Sequence, residues 1–146
     1  MSAVQHSTFV VGGHHFGVEV ADVQEVIRYQ PMTPVPLAPP TVGGLINLRG
    51  QVITAIDLRR RLGMPDRPAD ELPMNVVVRT DDGAVSLLVD SIGAVVHAPE
   101  DAFEPPPETL VGPTRSLIRG AYKLDGSLLL ALDVARAVDT SSALAA

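Results

Sequence analysis

The stretch VGGLINLRGQVITAIDLRRRL at residues 42–62 recurs as IRGAYKLDGSLLLALDVARAV at residues 118–138, and this duplication decides the fold. Gly44 matches Gly120, Leu48 matches Leu124, Gly50 matches Gly126, Ala55 matches Ala131, Asp57 matches Asp133 and Arg60 matches Arg136. The copies differ most tellingly at the turn. Asp125-Gly126 suits a tight hairpin because both residues tolerate positive φ, whereas the other copy carries Arg49-Gly50. Turn chemistry alone has little reason to select arginine, so Arg49 is a first candidate for a function other than folding.

Upstream, FGVEVADVQEVI at 16–27 parallels VSLLVDSIGAVV at 85–96, but in a register seven residues shorter. The place for that insertion is the loop from Ala98 to Pro113. The chain therefore reads as a single domain over 5–139, built from half-units of about 5–68 and 74–139, with a frayed tail at 140–146. Each half is too small to bury much surface alone, so the two are expected to share a core.

Strand signals dominate. Thr8 to Val11 is a short apolar strand, Gly12-Gly13-His14-His15 its turn, and Phe16, Val18 and Val20 alternate with Gly17 and Glu19 as a half-buried strand does. A helical or turn step at 22–24 and a strand at about 25–29 follow. PMTPVPLAPP at 31–40 cannot be a central strand, because proline has no N–H to donate, and is expected to lie extended along the surface. Strands at about 44–48 and 51–56 join through Arg49-Gly50. Asp57 and Asp133 each stand at the N-cap of a short helix, with Leu58 and Leu62, and Val134 and Val138, four apart on one face. In the second half, strands are expected at 76–78, 84–89 and 95–97, before an irregular proline-rich loop at 99–113. The pattern is all-β, with small barrels as the closure.

Composition excludes several classes of function. The 146 residues carry a net charge of −6 and only 3% aromatics, which disfavours nucleic acid as a partner. No cysteine is present, so disulfides, thiol catalysis and Cys-ligated zinc are excluded. No apolar run is long enough to span a membrane, and MSAVQHSTFVV lacks the features of a signal peptide, so a cytoplasmic protein without direct membrane insertion is expected. Arg59, Arg60 and Arg61 read as a solvated helix face.

No catalytic motif accompanies the carboxylates Asp81-Asp82 and Glu100-Asp101, which sit in a turn and a loop. His14 and His15 are adjacent, with His6 and His97 elsewhere. Neighbouring strand positions face opposite ways, so joint chelation is awkward, and no catalytic residue, metal or cofactor is expected.

The ordered blocks FGVEVADVQEVI, TPVPLAPPTVGGLINLRG at 33–50, LLVDSIGAVV at 87–96 and LDGSLLLALDVARAV at 124–138 closely resemble those of CheW-like domains, the coupling proteins of bacterial chemotaxis. The resemblance implies two intertwined five-stranded SH3-like barrels with pseudo-twofold internal duplication and short helices. It also implies a non-enzymatic adaptor joining the cytoplasmic tip of methyl-accepting chemoreceptors to the regulatory domain of the CheA histidine kinase, working in the cytoplasm at receptor arrays. Arg49 matches the family's signature arginine, associated with partner binding. Asn47 and Gly50 match its neighbours, and Glu25 an acid near the receptor-facing region.

Val23, beside that acid, is a candidate for partner binding, and Val95, in the second-half motif, for lining a groove between barrels, although burial in the core is the commoner fate of valine. Gly50 reads as structural, and Asp57 and Asp133 as helix caps. Thr54-Ala55 departs from the family's usual proline and larger apolar residue, which bears on partner preference. Two alternatives remain at this stage: a scaffold for a chemotaxis-like pathway with another output, such as surface motility or development, and a histidine-dependent metal enzyme.

Overall fold

A computed structural model describes residues 3–139. The expected tail at 140–146 lies outside the described residues. Eleven strands run in chain order: β1 (Ala3–Val11), β2 (His14–Glu19), β3 (Val23–Ile27), β4 (Val42–Leu48), β5 (Gln51–Asp57), β6 (Met74–Thr80), β7 (Gly83–Val89), β8 (Ser91–Pro99), β9 (Phe103–Glu104), β10 (Ile118–Leu124) and β11 (Ser127–Leu132). Three short helices accompany them: α1 (Leu58–Arg61), α2 (Gly112–Ser116) and α3 (Val134–Val138). The strands form a six-stranded sheet, β8-β1-β2-β11-β10-β9, and a five-stranded sheet, β3-β6-β7-β5-β4.

The two sheets are interleaved along the chain. β1 and β2, from the first half, pair with β8 and β11 of the second, while β6 and β7 of the second half pair with β3 and β5 of the first. The repeat extends to register. β5 runs parallel to β7 with Thr54 opposite Val85, and β11 runs parallel to β2 with Leu130 opposite Phe16. Thr54 and Leu130 occupy the same place in the duplication, as do Val85 and Phe16.

The expected pair of five-stranded barrels is thus one of five strands and one of six. The sixth, β9, is two residues long and sits at an edge, with Glu104 opposite Ala121. Its counterpart in the other sheet is a single bridge, Thr33 to Leu45, with both backbone hydrogen bonds made at 2.8–2.9 Å. Gly44 and Gly120 allow these edge contacts. A methyl group on Gly120 would overlap the Glu104 carbonyl and the Phe103 ring, and one on Gly44 would stand 2.9 Å from the Thr33 carbonyl oxygen. The matched glycines therefore let a second backbone approach closely.

Burial on both faces explains the continuous apolar runs. Val76 and Val78 point into a core shared by the two sheets, together with Phe9, Phe16, Val18, Ile56, Leu58, Leu87, Ile118 and Leu130. Val77 points the other way, into a cluster inside the five-stranded barrel with Ile46, Ile53, Ala55 and Leu88. The six-stranded barrel has its own interior of Ala98, Tyr122, Leu129 and Ala131. The halves do share a core, and each barrel adds a smaller one.

Local boundaries differ from the sequence reading in several places. β1 begins at Ala3 because β2 and β8 pair along its length. His14 and His15 belong to β2, and Gly12-Gly13, both at positive φ, form the turn. The helical step falls at Val20–Asp22, ahead of β3. The proline loop at 99–113 holds a 3-10 turn, β9 and the start of α2.

At the helix starts, the Asp57 carboxylate accepts from the Arg59 N–H at 3.0 Å, and Asp133 from the Arg136 N–H at 3.1 Å. Arg60 donates to the Pro40 carbonyl, and Arg136 to that of Ser116, again at matched positions.

Candidate partner-binding site

The two hairpin turns have the same length, Leu48 opposite Gln51 and Leu124 opposite Ser127, yet not the same conformation. Arg49 has φ of 53° and Gly50 of 84°, whereas in the second copy only Gly126 is left-handed, at 73°. The sequence suggested the reverse, with Asp125-Gly126 as the turn that uses positive φ at both positions. A left-handed conformation is uphill for any residue with a Cβ, and arginine has no side-chain oxygen to bond back to its own backbone. The compensation comes from a neighbour: Asn47 Oδ1 accepts from the Gly50 N–H at 3.0 Å.

From this turn the Arg49 guanidinium reaches β3. Nη1 donates to Glu25 Oε2 at 2.6 Å and Nη2 to Oε1 at 2.9 Å, a two-pronged ion pair. The Arg49 side chain is 73% exposed and that of Glu25 only 19%. The hydrogen bonds from Arg49 hold the Glu25 carboxyl below the usual range against a smaller opposing effect of burial, and the same bonds raise Arg49. At the matched positions of the other barrel stand Ala94, Lys123 and Asp125, so this constellation exists in one copy only. Lys123 there points its ammonium 3.5 Å from Glu104 instead.

Three of the sequence candidates, Arg49, Glu25 and Asn47, thus meet in space. Val23 lies next to Glu25 on β3, partly buried against the shared core. Val95 does not belong to the core. It is 54% exposed, because β8 is an edge strand with one face uncovered. Val95 and Leu128 on one barrel repeat Val26 and Val52 on the other, and all four are exposed. The Val26 and Val52 pair, on β3 and β5 of the barrel that carries the ion pair, was missed in the sequence. Its signal was present in the repeat, in the form of apolar residues kept at two matched positions.

The arginine run is not a solvated face. Arg59 bonds Asp90 at 2.7 Å, Arg60 bonds Asp66 at 3.0 Å, and Arg61 donates to the carbonyls of Ala137, Arg136 and Asp139. Each anchors a distant segment. Asp90 is the hub of a network absent from the sequence reading, accepting also from Arg67 at 2.9 Å and from the Gly12 N–H at 2.8 Å. Burial pushes its pKa up, but the bonds from Arg59, Gly12 and Arg67 together lower it to about 2.

His14 and His15 stay adjacent on β2, away from His6 and His97. His6 is buried edge-on against Tyr122, His97 bonds Gln5 at the surface, and His14 packs against Phe16. Among the described residues no group of three or more histidine or acidic side chains could hold a metal. A cleft of about 270 Å³ between the barrels is lined by Glu19, Arg79 and Arg119. Arg119 is paired with Glu19 there, and Arg79 with the carbonyls of Ala21 and Val23.

Two interleaved barrels with an exposed ion pair on one of them define a duplicated β protein whose distinctive chemistry lies on its surface. By sequence the chain belongs to the family of CheW-like domains, whose family model matches residues 5–142. It is 31% identical to chemotaxis protein CheW of Bacillus subtilis, over 92% of this chain and 86% of that one. It is also 31% identical to chemotaxis protein CheW of Rhizobium meliloti, over 86% of this chain and 81% of that one. The crystal structure of the scaffolding protein TtCheW from Thermoanaerobacter tengcongensis superposes with a TM-score of 0.81 at 27% identity, covering 90% of this chain and 89% of that one.

Proposed function

We propose that the protein is a non-enzymatic chemotaxis adaptor that couples the cytoplasmic tip of methyl-accepting chemoreceptors to the regulatory domain of a CheA-type histidine kinase. Family membership supports the adaptor role. The observation that carries the site is the asymmetry of the duplication. Glycines, caps and one anchoring arginine, Arg60 matched by Arg136, recur in both copies, whereas Asn47, Arg49 and Glu25 occur in one.

Arg59 and Arg61 also stand in one copy only, but both are tied to other segments of the chain, whereas Arg49 leaves its side chain 73% exposed, so this trio is assigned to a partner. An exposed planar guanidinium offers directional donors, and Val26 and Val52 supply apolar area nearby on the same barrel. The protein acts in the cytoplasm and reaches receptor arrays through its partners. The test is co-sedimentation with receptor-bearing membranes and purified CheA-type kinase. The reading requires the chain to pellet with the receptor and to raise the amount of kinase that pellets with it. A chain that stays in the supernatant and leaves the kinase there overturns it.

A further inference from the structure

We propose that Asn47 is the positioning residue of this site: its side-chain oxygen holds the 49–50 turn in the left-handed form that carries the Arg49 guanidinium to Glu25. The inference rests on reading that ion pair as part of the partner surface, but its own readout is the pairing itself.

The two hairpins provide an internal control. Both have two-residue loops closed by a leucine on the incoming strand, and both end on a left-handed glycine. They differ in whether the first loop residue is left-handed, as it is at Arg49 and not at Asp125. They also differ two positions before that residue, where Asn47 has an acceptor oxygen and Lys123 has none. The bond from Gly50 N–H to Asn47 Oδ1, at 3.0 Å, ties the far residue of the loop back to the strand. Asparagine side chains stabilise turns through such local backbone bonds. Without the bond, the loop loses one restraint against the strain at Arg49, and the turn is freer to take the conformation of the second copy. The guanidinium, which must cross to β3 on the opposite edge of the sheet, then loses its fixed origin.

This makes Asn47 an indirect contributor to binding, acting through Arg49. The experiment uses the full chain with four substitutions. N47A and N47K remove the acceptor, the latter copying the second repeat. N47D keeps an acceptor with added charge, and N47S keeps one without charge. The Glu25 carboxylate is titrated by NMR, melting is followed in parallel, and affinity is measured against the purified kinase regulatory domain.

In N47A and N47K the Glu25 midpoint is expected to rise toward the ordinary glutamate range, with affinity falling about two- to tenfold, the equivalent of one hydrogen bond. N47S is expected to restore both at least in part. An unchanged Glu25 midpoint in N47A overturns the proposal. So does a loss of affinity in both N47D and N47S while the ion pair persists, which would make the asparagine amide a direct contact. A shifted midpoint with unchanged affinity upholds the positioning role and removes the pair from the partner surface instead.

Discussion

Arg49 and Glu25 bridge the open seam of the five-stranded barrel. Glu25 lies on β3 and Arg49 at the tip of β4, and these strands are the two ends of the sheet order, with no ladder between them. An ion pair whose arginine is so exposed adds little to stability, because water and salt screen it and two long side chains must be held still. Its presence in one barrel alone fits the recognition role proposed above.

Replacing Arg49 by glycine separates the two roles. Glycine adopts φ of 53° without strain, which offsets the loss of an exposed pair. R49G is expected to melt at or above the parent temperature, by up to about 2–4 °C, while binding its partners more weakly. Thermal melting by circular dichroism checks the first part. A fall of many degrees would show that the pair supports the fold after all.

Asp90 makes stability depend on pH at the acid end. Its folded pKa of about 2 lies below that of an unfolded aspartate, so the stability it supplies is complete above about pH 4 and is lost as pH falls toward 2. Allowing for screening of a carboxylate that keeps some contact with water, the contribution is about 1–2 kcal/mol. D90N is expected to lose about that much at pH 7 and to show a flatter fall in stability between pH 4 and 2. Urea unfolding across that range measures both. Parallel pH profiles for parent and variant would contradict the assignment.

The matched glycines make a further prediction. G120A drives a methyl group into the Glu104 carbonyl and the Phe103 ring, so β9 must separate from β10 or both must shift. A cost of about 1–3 kcal/mol is expected, as for other overpacked sites. Hydrogen exchange of the β9–β10 bonds should accelerate selectively. Unaltered protection of the amides that bond β9 to β10 would mean that the edge absorbs the methyl group.

Local chemistry was legible from the amino-acid order where neighbours in sequence are neighbours in space. The hairpins, the aspartate caps and the duplication all belong to this class. The interleaving was legible only through the family resemblance, because the pairing of β2 with β11 joins residues from opposite ends of the chain, and no local pattern encodes it. Arg59, Arg60 and Arg61 were misread for the same reason, since their acceptors lie on other elements.

Whether Val95 belongs to the core or to a surface was not legible, because a valine does not reveal which face of an edge strand is covered. Arg49 was singled out correctly as unusual, but the expected conformations of the two turns were reversed. Preference for Asp-Gly describes an average over hairpins, and here the side chain of Asn47 outweighs it.

The central claim, that the ion-paired turn forms part of the surface met by kinase and receptor, is tested most directly by titrating R49A. Calorimetry against the purified kinase regulatory domain and against a receptor-tip fragment, with melting followed on the same samples, gives the answer. The account predicts a folded variant with affinity for at least one partner reduced about tenfold or more. Unchanged affinity for both partners would contradict it.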